Sequence, residues 1–302
     1  LTYRARRSRR MNYQDYADYL SSERNMSENT KKAYIRDIRN FEIFINDRGT
    51  YKPEEVTTTE LLAYLMKLRA QDMSKATLNR KLASLRAFYH YLQKLGKIDE
   101  NPAEGIKSPQ VDKKEIEYIS VEEIDKLMKM PDKTPKGIRD RAILELLYAT
   151  GIRASELIEM QEDDLNLRMG FVKCSPQSGK ARIIPMGKIC RSVLEDYCLT
   201  ARPVLLKDNE TDILFVNYAG KPITRQGLWK VLKEYGKAAE LSISLTPQVL
   251  RNSFAVHMLQ NGADVKSLQE LMGHEDISAT QAYLTVVKNR IKDVYDRTHP
   301  RA

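Results

Sequence analysis

Residues 100–120 read ENPAEGIKSPQVDKKEIEYIS. Two prolines, a glycine and charges of both signs leave no apolar face for a helix or strand to bury. No single core can run through this stretch. The chain is therefore expected to fold as two domains joined by a linker at 108–118, with a helical domain at 11–107 and a second domain at 119–302. Its 302 residues, 42% of them hydrophobic, suffice for two cores. The linker ends at Ser120-Val121-Glu122-Glu123, which has the form of a capping box and opens a new helix.

The first domain reads as helices. Tyr13–Glu23 is short and amphipathic. Lys31–Asn46 repeats apolar residues at Tyr34, Ile38, Phe41 and Ile45, and Thr58–Arg69 carries Leu61, Leu62, Leu65 and Leu68. In Ser74–Leu95, Leu78, Leu82, Leu85, Tyr89 and Leu92 step by helical spacing and form one core stripe. Off that stripe lie Lys75, Arg80, Lys81, Arg86, Lys94 and Lys97, with no acid before Asp99. A solvated face is the ordinary reading of such a run. A face of one sign repels itself, however, unless phosphates neutralise it. Lys75, Arg80, Lys81 and Arg86 are therefore the expected DNA-backbone contacts.

The second domain reads as helices at Val121–Met130, Lys136–Thr150 and Ala154–Glu159, then a break at LNLRMG. Two β-type runs follow, Gly170–Cys174 and Ala181–Pro185, with PQSGK as a hairpin turn between them. Helices resume at Ile189–Thr200 and Thr224–Ala239, with ILFVN (213–217) as a short extended piece. Further helices are expected at Pro247–Asn261, Asp264–Met272, Ser278–Thr285 and Lys288–Arg297. The expected class is mainly α with a small antiparallel sheet.

Formal net charge is +9, and the isoelectric point of 9.2 suggests a polyanionic partner. Five arginines lie in the first ten residues, LTYRARRSRR. That segment reads either as a native basic arm or as a remnant or read-through ahead of a start at Met11. No apolar run approaches membrane-spanning length, so no membrane partner is expected. Cys174, Cys190 and Cys198 have neither metal-site spacing nor a paired framework and read as small buried residues of a cytoplasmic protein. No cluster of acids and histidines has ligand spacing, so neither metal nor other cofactor is expected.

Several residues of the second domain stand apart. Arg153 opens a helix, beside Glu156. Lys180 sits at the hairpin turn. Arg251 falls in the apolar run of LTPQVLRNSF, where a buried guanidinium needs an anion. His274 follows Gly273, and Tyr283 lies nine residues on. Each alone has a structural reading. Taken in order, Arg153, Lys180, Gln248-x-x-Arg251, His274 and Tyr283 resemble the signature of the tyrosine recombinases, Arg…Lys…His-x-x-Arg…His/Trp…Tyr. TGIRASEL, NGADVKSLQELMGHEDIS and the ending VYDRTHPRA are similar to the Xer subgroup. That ending reads as a native C-terminus.

The resemblance implies a two-domain tyrosine recombinase: a DNA-clamping helical domain and a catalytic domain with a C-terminal protomer-contact helix. It implies site-specific DNA cleavage and rejoining through a 3′-phosphotyrosyl intermediate, for chromosome dimer resolution or for integration and excision of a mobile element. Two guanidiniums, Arg153 and Arg251, would clamp the scissile phosphate. Tyr283 would be the nucleophile, Lys180 the general acid and His274 a hydrogen-bond donor to phosphate. Gln248 departs from the usual His; an amide holds phosphate or Arg251 but exchanges no proton near neutral pH. The working unit would be a homo- or hetero-tetramer on two double-stranded sites, nucleoid-associated, with a DNA translocase as a further partner. A non-catalytic or partner-dependent DNA-binding regulator with this fold is the alternative, favoured only by Gln248. A helical scaffold with a merely solvated basic face is the other rival.

Overall fold

A computed structural model describes residues 13–50, 52–110, 115–175 and 181–298, with side chains through 288. The chain forms two compact units that divide between residues 114 and 115.

In the first unit the helices are α1 (Tyr13–Ser22), α2 (Glu28–Asp47), α3 (Thr58–Ala70) and α4 (Lys75–Lys94). Ser27 caps α2 three residues earlier than the apolar period predicts, because its side chain accepts from the Thr30 amide. Thr57 and Glu60 form a capping box on α3, and Ser74 caps α4. The α4 stripe Leu78, Leu82, Leu85, Tyr89 and Leu92 is buried, with Phe88 of the same helix, in one core with Tyr16 and Phe41.

The basic face of α4 is not self-repelling, which corrects the sign argument. Asp37 on α2 is buried and supplies the missing acid. It accepts from both terminal nitrogens of Arg80, from Lys81 Nζ at 2.9 Å and from Ser84 Oγ at 3.0 Å. Lys81 is only 6% exposed and is withdrawn from any phosphate. Arg86 is turned inward as well, donating to the carbonyls of Ala103 and Ile106 and to Ser108 Oγ, so it straps residues 103–108 to α4. Lys75 is exposed.

The second unit runs through α5 (Val121–Met128), α6 (Pro135–Thr150) and α7 (Ala154–Glu159) into a three-stranded antiparallel sheet. The strands are β1 (Leu165–Asn166), β2 (Phe171–Cys174) and β3 (Arg182–Pro185), in that order, with Val172 opposite Ile184 and Cys174 opposite Arg182. Then come α8 (Lys188–Asp196), a π-helical turn (Tyr197–Ala201), α9 (Arg202–Leu206), α10 (Arg225–Ala238), α11 (Pro247–Gln260), α12 (Val265–Met272) and α13 (Ile277–Thr298). Core residues of α6, including Leu144 and Leu147, pack with Leu250 of α11 and Leu194 of α8 around Phe215.

Three expectations change. LNLRMG is not a plain break, since Leu165 and Asn166 pair with β2. ILFVN forms isolated bridges at Ile213 and Val216 instead of a strand. The two expected helices after residue 277 are one: no glycine or proline interrupts Ile277–Thr298, and the β-branched run at 285–287 only mimics a break. Tyr283 and the tail are thus on one element. The side chains of the C-terminal tail, expected as the protomer-contact helix, lie beyond the described side chains. Lys180 and the ten-residue basic arm lie outside the described residues. Among the described residues no helix is long and apolar enough to cross a membrane.

Candidate active site

Three arginines from three elements meet at the end of α12. A helix leaves its last carbonyls without intrahelical partners, and they carry about half a unit of negative charge. Here successive carbonyls each accept from a different guanidinium at 2.7 Å. Leu271 takes Arg182 Nε, Met272 takes Arg251 Nη2 and Gly273 takes Arg153 Nη2. Gly273 ends the helix at φ +61, a left-handed conformation costly for other residues, and an added Cβ would meet the Arg182 guanidinium at 2.9 Å. Gly151 closes α6 in the same way at φ +58, and its carbonyl accepts from Arg251 Nη1.

Glu156 is the acid of this cluster. Arg182 grips it bidentately, Nη1 to Oε1 at 2.6 Å and Nη2 to Oε2 at 2.9 Å. Arg153 reaches it through its backbone amide at 2.7 Å and through Nη1 at 3.3 Å. Burial pushes the Glu156 carboxyl up, but those hydrogen bonds and charges outweigh it and hold the group below its ordinary value. Arg182 is raised, since Glu156 outweighs its burial.

Arg251 is different. It is 4% exposed, and its hydrogen-bond partners among the described residues are neutral: the carbonyls of Gly151 and Met272, and His274 Nε2 at 2.9 Å. Burial first, then the neighbouring Arg153, lowers its pKa to about 10. A guanidinium only donates, so His274 Nε2 accepts here. The ring proton is then on Nδ1, which faces Thr280 Oγ1 at 2.8 Å. Burial and the charges of Arg251, Arg153 and Arg182 lower His274 to about 4, so it is neutral at pH 7. In this state His274 is not the hydrogen-bond donor that the sequence predicts. To donate to an anion it must give up Arg251.

Tyr283 comes from α13 and is 5% exposed. Its ring lies nearly parallel to His274, 7° between planes and 6.5 Å between centroids. Its hydroxyl donates to Asn252 Oδ1 at 3.0 Å. Burial raises its pKa, against opposing effects of the Arg251 charge and a hydrogen bond with Gln248. Gln248 is exposed, one turn before Asn252, and donates Nε2 to the same Oδ1 at 2.7 Å.

A cleft of about 390 Å³ opens over this cluster, lined by Arg153, Gln248, Arg251 and His274, and on the α10 side by Arg225 and Trp229. Tyr283 is not in its wall. The structure thus brings together Arg153, Gln248, Arg251, His274 and Tyr283. It adds Arg182, Asn252, Thr280, Arg225 and Trp229, which sequence reasoning did not single out. Arg182 has the signal of an arginine entering a strand beside the hairpin, and Asn252 that of an amide four residues from Gln248. Thr280, Arg225 and Trp229 carry no local mark.

Comparison with known proteins places these residues in a family. The Phage integrase family profile matches residues 117–290, and the Phage integrase N-terminal SAM-like domain matches residues 13–96. The chain is 41% identical over 292 residues to a tyrosine recombinase XerD of Listeria monocytogenes, covering 96% of this chain and 98% of that protein. It is 40% identical to a tyrosine recombinase XerD of Staphylococcus haemolyticus, covering 96% and 98%. In fold it is similar to the XerH site-specific recombinase, solved bound to its palindromic difH substrate in a post-cleavage complex. That match has a TM-score of 0.73 and 19% identity, covering 93% of this chain and 82% of the other.

Proposed function

The chain belongs to the Phage integrase family of tyrosine recombinases and is a site-specific DNA recombinase, and we propose that it cleaves and rejoins DNA through a 3′-phosphotyrosyl bond at Tyr283. The observation that carries this assignment of roles is Arg251, a buried guanidinium with no carboxylate partner among the described residues, set beside Arg153 in the wall of an open cleft. A phosphodiester in that cleft supplies the missing anion. Charge that builds on the non-bridging oxygens in the transition state falls on fixed cations that need no reorganisation.

The Tyr283 phenol gives up its proton to water as its oxygen attacks phosphorus, the bond to the 5′-oxygen breaks, and that oxygen takes up a proton. Lys180 is the proposed donor, carried by the β2–β3 connection. His274 turns from Arg251 to the phosphate as the anion arrives. Gln248 contributes hydrogen bonds and no proton transfer. Because the nucleophile is buried beside the cleft, α13 must shift before reaction, and this step is a natural point of control.

The first unit serves as a DNA clamp, with exposed Lys75 as a proposed phosphate contact. Strand exchange needs two duplexes, so the assembly is a homo- or hetero-tetramer on two sites, with the α13 tail reaching a neighbouring protomer. The XerD relatives match nearly end to end, which supports a Xer-like recombinase; its proposed setting is the nucleoid, in chromosome dimer resolution or mobile-element integration and excision, with a DNA translocase as a further proposed partner.

The test uses nicked duplexes that lose the 5′-strand after cleavage. Wild type is expected to leave a denaturation-resistant protein–DNA adduct that Tyr283→Phe does not form. An adduct that persists in Tyr283→Phe would overturn the assignment.

A further inference from the structure

The Asn252 carboxamide is held at both its oxygen and its nitrogen, and its partners tie the nucleophile to two other parts of the catalytic unit. Oδ1 accepts from the Tyr283 hydroxyl at 3.0 Å and from Gln248 Nε2 at 2.7 Å. Nδ2 donates to the Glu117 carbonyl at 2.8 Å. The next residue, Ser253, is wholly buried and accepts from the Ile119 amide at 3.0 Å. Two consecutive residues of α11 therefore hold the backbone of 117–119, where the chain has just entered the second unit.

An amide is an acceptor that takes no proton at neutral pH. It keeps the phenol in place without helping it ionise. A base at this position would do the opposite and generate a phenolate against Arg251. The Tyr283 ring is meanwhile flat against His274 and outside the cleft that receives the anion.

We propose that Asn252 is a positioning residue that holds Tyr283 withdrawn and protonated in the resting enzyme. Gln248 locks the amide in the accepting orientation. The bond to Glu117 makes the hold sensitive to the segment that joins the two units: moving 117 turns the amide away and frees the hydroxyl. The departure at Gln248 thus belongs to the resting state of the nucleophile as well as to the phosphate site. This inference rests on the recombinase reading for the role of Tyr283.

Nitration of the full-length protein by tetranitromethane, without DNA, tests it, since the reagent attacks accessible phenolate. Peptide mass spectrometry reads Tyr283 against Tyr197, which is fully buried with its hydroxyl on the Leu214 carbonyl. Wild type is expected to protect both. Asn252→Ala is expected to nitrate Tyr283 at least about fivefold faster, roughly what one lost neutral hydrogen bond contributes, with Tyr197 unchanged. If Tyr283 in Asn252→Ala stays as protected as in wild type, the proposal fails. Should Asn252→Ala expose Tyr197 too, through loosened folding, the surface variant Gln248→Ala decides: Tyr283 alone must react faster, and no change overturns the proposal. On nicked DNA, Asn252→Ala is expected to form its first-turnover adduct faster than wild type, where a merely structural residue would slow it. A wild type that forms no adduct defeats the recombinase reading and leaves the nitration result standing.

Discussion

Lys81 in the first unit and Arg251 in the second are buried to nearly the same degree, 6% and 4% exposed, yet they face opposite surroundings. Lys81 meets the carboxylate of Asp37, which also holds Arg80 and Ser84. Arg251 meets two carbonyls and a neutral imidazole, while the one nearby acid, Glu156, is taken by Arg182 and Arg153. The first cluster is closed and stabilises packing between α2 and α4. The second has three guanidiniums around one carboxylate and the partial charge of a helix end, which cannot neutralise them. A buried cation with an acid is architecture. A buried cation with only neutral partners is a place kept for an anion.

The largest expected effect is on the closed cluster. Asp37→Asn strands Lys81 without a counter-charge and should lower unfolding free energy by about 3–5 kcal/mol, the usual cost of breaking a buried pair. Denaturant titration of the full chain reads this. A loss below about 1 kcal/mol would mean that Asp37 is not the partner on which Lys81 depends.

Arg251→Ala should do the converse. Adduct formation on nicked DNA should fall by about 10²–10³-fold, the effect of losing one transition-state donor, while denaturant stability holds or rises. Equal losses of stability in both variants would erase the distinction between the clusters.

Gly273→Ala is smaller. It forces a left-handed alanine at about 1–2 kcal/mol and pushes on the Arg182 guanidinium. Stability should drop by that amount, and cleavage with it, because the Gly273 carbonyl holds Arg153.

The smallest effect is in pH. The folded pKa of His274, about 4, lies below the ordinary value near 6.5. As pH falls from 6.5 to 4 the unfolded chain therefore binds a proton that the folded chain refuses, and stability is lost across that window. His274→Gln should flatten this part of the stability profile relative to wild type. Saturating inorganic phosphate should raise the His274 pKa, read by NMR of the imidazole. An unmoved pKa would argue that the cleft does not take an anion beside His274.

Much of the catalytic unit was legible in sequence because its parts announce themselves locally. Thr246-Pro247 starts α11, Gly151 and Gly273 end helices, and Arg251 is conspicuous in an apolar run. The gathering of Leu271, Met272 and Gly273 carbonyls around three arginines was not legible, because backbone acceptors carry no residue identity. Arg182 and Asn252 were missed for a related reason: each acts through a partner distant in the chain, Glu156 and Tyr283. The α4 reading failed in the same way, since its counter-charge comes from Asp37, 43 residues before Arg80. Periodicity describes one helix at a time, and both charge clusters are made between elements.

The most direct test of the account is to trap the covalent complex on nicked DNA, digest it with trypsin and nuclease, and locate the residual nucleotide by mass spectrometry. A 3′-linked nucleotide is expected on Tyr283 and on no other residue. A nucleotide on a different side chain, or cleaved DNA with no covalent protein link, would contradict it.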